Sequence, residues 1–158
     1  MILEIVSNQI TGVEPTNLTD AVIYFRSEQS GGEEDSLIES LLVQAREGIE
    51  KVCNLSLIER TMTLYLDEYV GYLPLGPIDP LSLEVTEGEA EFKGKSYPYC
   101  NGSENATVEY NCLAHDSQDL INAIYELASY WYFRGDNERS IPDKIKPVIK
   151  RHTRNLFV

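Results

Sequence analysis

Reactive side chains are scarce in this sequence, with two histidines and three cysteines among 158 residues. Cys112 and His115 stand at a ligand-compatible spacing, and Cys100 would supply a second thiolate for zinc. A structural zinc takes four ligands, usually from paired cysteines, and neither a fourth ligand nor such a pair is evident. Small core residues in strands are the plainer role for Cys100 and Cys112, so no metal is expected. His115-Asp116 is the only histidine-carboxylate neighbour pair. Adjacency in sequence does not aim two side chains at one substrate, and aspartate routinely caps helices, so no catalytic residue is assigned. Neither GxSxG, HExxH nor a Walker loop occurs. Gly31-Gly32, Gly71 and Gly76 lack the strand-glycine-helix setting that cradles phosphate. The acidic runs Glu33–Asp35 and Asp67-Glu68 lack the spacing of a calcium loop, and no cofactor is expected.

Four consecutive aromatics, Tyr130, Trp131, Tyr132 and Phe133, precede Arg134. On a helix they point all round the axis, so at least one ring should meet solvent or a partner. The run either plugs the helix end or anchors an interface.

These groups must be positioned by elements that the periodicity outlines. Asn17 with Asp20 signals a short helix carrying Ala21, Val22, Tyr24 and Phe25, ended by the polar loop at 27–34. Ser36 and Glu39 have capping-box spacing, which predicts a helix from Ser36. Leu37, Leu41, Ala45, Ile49 and Val52, joined by Ile38 and Leu42, form its buried face. Glu39, Gln44, Arg46, Glu47, Glu50 and Lys51 fall on the other sides, read as solvated. From Arg60 the period becomes two, with Met62, Leu64 and Leu66 alternating with Thr61, Thr63 and Tyr65. Three prolines between Tyr72 and Pro80 make an extended loop. Leu81–Thr86, Glu91–Tyr99 and Thr107–Leu113 are strand candidates, with turns expected at Gly94 and at Asn101-Gly102.

Asp116 or Ser117 caps a second long helix, with Leu120, Ile121, Ile124, Leu127, Ala128 and Trp131 as its stripe and Gly135 onward as its stop. This helix is expected to pack on the one from Ser36. A closing amphipathic segment carries Ile145, Val148 and Ile149, with Pro147 interrupting it.

Composition sets the limits. Apolar residues make up 42% and charged residues 25%, the proportions of an ordinary folded protein. No stretch approaches the roughly 20 apolar residues of a membrane-spanning helix, and residues 1–10 lack the basic start of a signal peptide. A cytoplasmic protein, or one in a particle assembled there, is expected, with free thiols and no membrane partner. The net charge of −13 is uneven, since residues 139–158 hold six Lys/Arg against Asp143, a local +5 that leaves −18 for the rest. So acidic a body repels phosphates and cannot be a general DNA-binding surface.

In chain order, these signals resemble the head-tail connector or adaptor proteins of tailed double-stranded DNA phages. The run VEPTNLTD at 13–20 with YFR at 24–26 is similar to that family's opening segment and short helix. EEDSLIESLLVQAREGIE at 33–50 resembles its acidic-led long helix, and LPLGPI at 73–78 its Leu-Pro-x-x-Pro-Val element. Residues 119–134 resemble the helix ending in Trp-Tyr and Arg, and Ile141-Pro142 with Ile145, Val148 and Ile149 resembles the closing helix. The aromatic-to-Arg spacing near Trp131 is one residue short of the family pattern, and the region from Gly88 to Leu113 is longer.

The resemblance implies a non-enzymatic virion protein at the neck, a bacteriophage adaptor forming a dodecameric ring under the portal. Other copies of the chain, the portal protein and a tail-side connector or stopper would be its partners, with DNA passing through the channel unbound. The portal contact would fall on Lys146, Lys150, Arg151, Arg154, Leu156, Phe157 and Val158. A ring or neighbour contact would fall on Tyr130, Trp131, Tyr132, Phe133 and Arg134. The fold expected is mainly α and a single domain over 1–158. It comprises a small helical bundle (17–53 and 117–134), an inserted small antiparallel β-sheet or hairpin (60–113) and a C-terminal portal-docking helix (139–158). An acidic DNA mimic and, further off, a small hydrolase around His115 are the alternatives.

Overall fold

A computed structural model describes residues 1–25, 32–135 and 139–155. The chain divides into two compact units, one of Glu14–Cys53 with Asp116–Thr153, the other of Met1–Val13 with Asn54–His115 and the described part of Arg154–Val158.

The first unit is helical. Helix α1 (Leu18–Phe25) starts where the Asn17 side-chain oxygen accepts the Asp20 amide at 2.9 Å, satisfying one of the donors a helix start leaves open. Helix α2 (Glu33–Cys53) begins three residues before the Ser36 expected. Glu33, Glu34 and Asp35 form its first turn, where carboxylates meet the positive end of the helix dipole, and Ser36 already donates its amide to the Gly32 carbonyl. Leu41, Leu42, Ala45 and Ile49 are buried as expected, whereas Leu37 and Val52 are exposed. Arg46 and Glu50, read as solvated, are buried instead.

Helix α3 (Gln118–Arg134) is capped by Ser117, whose side chain accepts the Leu120 amide, and stopped by Gly135 in the left-handed conformation at φ 63°. Leu120, Ile124, Leu127, Ala128 and Trp131 are its buried stripe, and it packs on α2. Helix α4 (Lys146–His152) is only seven residues long, with Pro147 in its first turn. Proline is tolerated there because the first amides have no helical partner. Ile145 and Ile149 are buried, and α4 packs on α2 and α3.

The second unit is a curled five-stranded antiparallel sheet of β1 (Ile2–Ile10), β2 (Arg60–Asp67), β3 (Gly71–Tyr72), β4 (Glu84–Lys93) and β5 (Tyr99–Cys112). β2 lies between β1 and β5, and β5 also pairs with β3 and β4. Met62, Leu64 and Leu66 are buried as the alternation requires, clustered with Tyr69, Leu73, Ile78, Val108 and Tyr110.

The mainly α expectation is therefore overturned, since helix takes 36% and strand 32%. Three departures account for the shortfall. β1 lies where the sequence predicts no strand. The separate strands expected at Leu81–Thr86 and Glu91–Tyr99 are replaced by one β4, with the turn near Gly94 as expected. Asn101-Gly102 lies inside β5, opposite a register shift at Glu91/Phe92, so its turn chemistry marks a bulge. Gly88 answers a similar demand in β4. Its φ is 70°, and a Cβ there would lie 2.2 Å from the Asn105 carbonyl oxygen.

Candidate interaction surfaces

The sequence singled out two surfaces, a basic closing segment and an aromatic helix end. In the closing segment, Lys146, Lys150 and Arg151 are exposed. Lys146 Nζ lies 2.6 Å from Asp143 Oδ1 and holds that carboxyl below its ordinary range through the hydrogen bond and the charge. Arg151 lies 3.7 Å from Asp119, with both side chains open to water. Exposed pairs of this kind are weak and screened by salt, so a partner's carboxylates can displace them. The apolar side of α4 turns inward. Thr153 donates its hydroxyl to the Ile149 carbonyl at 2.9 Å, and burial pushes the Cys53 thiol up.

Arg154 belongs to the sheet unit and is occupied within it. Its guanidinium carbon lies 3.9 Å from the Tyr97 ring centre and 6.0 Å from that of Tyr72, and it donates to the Asn54 carbonyl at 3.2 Å. Burial lowers its pKa, and the tyrosines Tyr97, Tyr72 and Tyr110 partly oppose the change. Leu156, Phe157 and Val158 lie outside the described residues.

The aromatic run divides by its place on the helix. Trp131 is buried, donates its indole N–H to the Ser140 carbonyl at 2.8 Å, and has the Arg139 guanidinium 5.3 Å from its ring centre. Tyr132 packs on Phe25 at 5.1 Å and donates its hydroxyl to Glu34. Tyr130 accepts from Arg134, and Phe133 is 65% exposed. Tyr24, Tyr130, Phe133 and Pro142 line an open groove of about 650 Å³, with Glu126, Arg134 and Lys144 also bordering it. Such a surface can take an apolar side chain and steer it by charge. Ile23 on α1 is also exposed.

Catalytic chemistry finds less support. Cys100 and Cys112 are buried in the sheet core, and the His115 amide is bound to the Ser56 carbonyl at 2.7 Å. Among the described residues, no group of three or more His, Cys, Asp or Glu side chains is placed to hold a metal ion. No described helix is long and apolar enough to cross a membrane.

Sequence reasoning missed two features. Arg46 is wholly buried, bonded to Glu14 at 2.7 and 2.9 Å and to Glu50 at 2.6 Å. Burial pulls its pKa down, but Glu14 and Glu50 together outweigh that, and the net direction is upward. The other feature is the distribution of acid. The sheet unit carries eleven acids against four Lys/Arg, a net −7, with Glu84, Glu87, Glu89 and Glu91 along β4 alone.

By fold, the chain sits with chains from phage-like particles, the class to which the sequence resemblance also points. It is similar over 100% of its length to 98% of a chain in the virion of a native gene transfer agent particle, at 18% identity and a TM-score of 0.65. A chain from the neck of the empty particle, computed with C6 symmetry, gives 17% identity and 0.64 at the same coverage. One from the neck of the native particle, computed with C12 symmetry, gives 20% and 0.57. At these identities the likeness is one of fold. No family model and no curated protein matches the chain.

Proposed function

We propose that this protein is a structural, non-enzymatic subunit of the neck of a tailed-phage or phage-like particle. It acts there as a ring-forming adaptor that binds the portal and joins it to tail-side components around the DNA channel. The observation that carries this reading is the full-length fold match to chains of gene transfer agent virions and necks. The physical features agree with it. A net charge of −13 keeps the surface from gripping DNA in transit, and the exposed cations of α4 suit an acidic portal face. A dodecamer would match the twelvefold symmetry used for one of the related necks.

The test is to recover the protein from purified particles, locate it by labelling, and measure its size with and without portal. Neck label and a portal-dependent ring are expected. Label elsewhere, or a monomer indifferent to portal that binds a nucleic-acid enzyme instead, would favour the DNA-mimic alternative. Changing Lys146, Lys150 and Arg151 to Glu should abolish portal binding, most sharply at low salt. The Debye length falls from about 30 Å at 0.01 M to about 10 Å at 0.1 M, so screening weakens the contact as salt rises. Arg154 is left out of that variant because its contacts lie inside the sheet unit. Replacing His115 by Ala should leave assembly intact, and loss of a hydrolytic activity in that variant would instead support an enzyme.

A further inference from the structure

The two long edges of the sheet are built differently. β4 is defended against strand addition in the way natural edges are, by charge and irregularity. It carries Glu84, Glu87, Glu89, Glu91 and Lys93, and three register shifts interrupt its pairing with β5. β1 has none of this apart from Glu4 and a single shift near Val6. Eight of its nine residues are exposed, it contains neither lysine nor proline, and among the described residues it pairs only with β2.

The apolar content of β1 sharpens the contrast. Residues directly opposite in an antiparallel pair share a sheet face. Ile5 lies opposite the buried Leu64, and Ile10 opposite the buried Arg60, so both belong to the core-facing side. They are nevertheless 49% and 45% exposed, and Val6 is 60% exposed. The core layer thus stops short of this edge, leaving both backbone donors and apolar side chains uncovered.

We propose that β1 is a docking strand that receives an extended, cationic segment of a different protein as a sixth strand. This rests on the neck role for where that partner comes from and for the ring that disfavours a second copy as occupant. The chain's own edges do not supply the occupant, since β4 is blunted and β3 has two residues. Two copies of β1 would close a two-fold pair, which cannot propagate around a ring. Acids flank this edge, with Glu4 on β1, Asp67 opposite Ile2, Glu68 beside Met1 and Glu59 at the other end, against an Arg60 that is buried. They select a basic partner, with main-chain bonds giving affinity and alternate side chains giving specificity.

The test uses the full chain and a seven-residue peptide alternating lysine and valine, with glutamate replacing lysine in the control. Amide exchange within Ile2–Ile10 should slow at least about tenfold at saturating Lys-Val peptide and be unchanged by the Glu-Val peptide. Val6→Lys, at an exposed position, should weaken Lys-Val binding about tenfold, equivalent to about 1.4 kcal/mol, with unaltered thermal unfolding. Equal protection by both peptides, no protection by either, or protection of β1 through concentration-dependent self-association would each overturn the proposal. None of those outcomes bears on whether the protein is found at the neck, so the two readings fail separately.

Discussion

Two arginines, Arg46 in the helical unit and Arg154 in the sheet unit, are withdrawn from water by opposite means. Arg46 is enclosed by carboxylates, so its charge is answered by Glu14 and Glu50 and its pKa goes up. Arg154 is enclosed by tyrosine rings and one carbonyl, so burial prevails and its pKa goes down. The first arrangement places charged groups inside a helical core, where loss of one partner leaves a buried charge less well compensated. The second needs only ring faces and a carbonyl acceptor, and its loss strands no charge.

The largest effect should come from Arg46→Ala, which takes from the buried Glu50 the guanidinium 2.6 Å away and should cost about 3–5 kcal/mol in denaturant unfolding. Arg46→Met combined with Glu50→Leu should recover part of that, because the buried guanidinium and carboxylate are removed together, while Glu14 is about one-third exposed and can turn to water. If the double variant is as unstable as the single, the buried pair is not the cause.

Arg154→Ala should cost less, about 2 kcal/mol, through the lost cation–ring contact and carbonyl bond. A cost matching that of Arg46→Ala would erase the distinction between the two sites.

The sheet unit should also resist titration. Burial pushes the Tyr69 hydroxyl up to about 12 from an ordinary value of 10.0. The folded state then holds this proton more tightly than the unfolded state does. The resulting stability is fully present below about pH 10 and is lost as pH rises through about 12. Absorbance titration should show Tyr69 protonated at pH 11 in the wild type, and ionisation of all ten tyrosines near pH 10 would contradict this burial.

The smallest effect runs the other way. A Cβ on Gly48, inside α2, would meet Trp131 at 3.7 Å, an ordinary contact. Gly48→Ala should therefore stabilise the protein by roughly 0.5–1 kcal/mol, read as a raised thermal midpoint. A fall in the midpoint would mean that Trp131 needs more room than that distance provides.

Legibility in the sequence followed the range of the interactions. The alternation of Met62, Leu64 and Leu66 and the caps Ser117 and Gly135 are local patterns, and each stands where the residues indicated. The burial of Arg46 is not legible, because its helix position is ambiguous by periodicity alone and Glu14 lies 32 residues away. β1 is hidden in the sequence because the shift near Val6 changes the parity of its core-facing residues, from Leu3 and Ile5 to Asn8 and Ile10. Gly88 and Asn101-Gly102 carry turn chemistry, so one long hairpin read as several short strands and the fold read as mainly α. In the candidate surfaces, the exposure of Lys146, Lys150 and Arg151 was legible from charge and spacing. The seat of Arg154 on Tyr97 was not, since that contact is made by distant residues and has no periodicity.

The chain's single tryptophan, Trp131, is buried in the helical unit, with its indole N–H bonded to Ser140. Its fluorescence therefore reports on that unit alone, while six of the ten tyrosines, Tyr65, Tyr69, Tyr72, Tyr97, Tyr99 and Tyr110, lie in the sheet unit and four in the helical unit. Emission, which follows one unit, and tyrosine absorbance, which is weighted towards the other, can be recorded in one denaturation. Coincident transitions would mean the two units melt as one cooperative body, and separated ones that each holds its own stability.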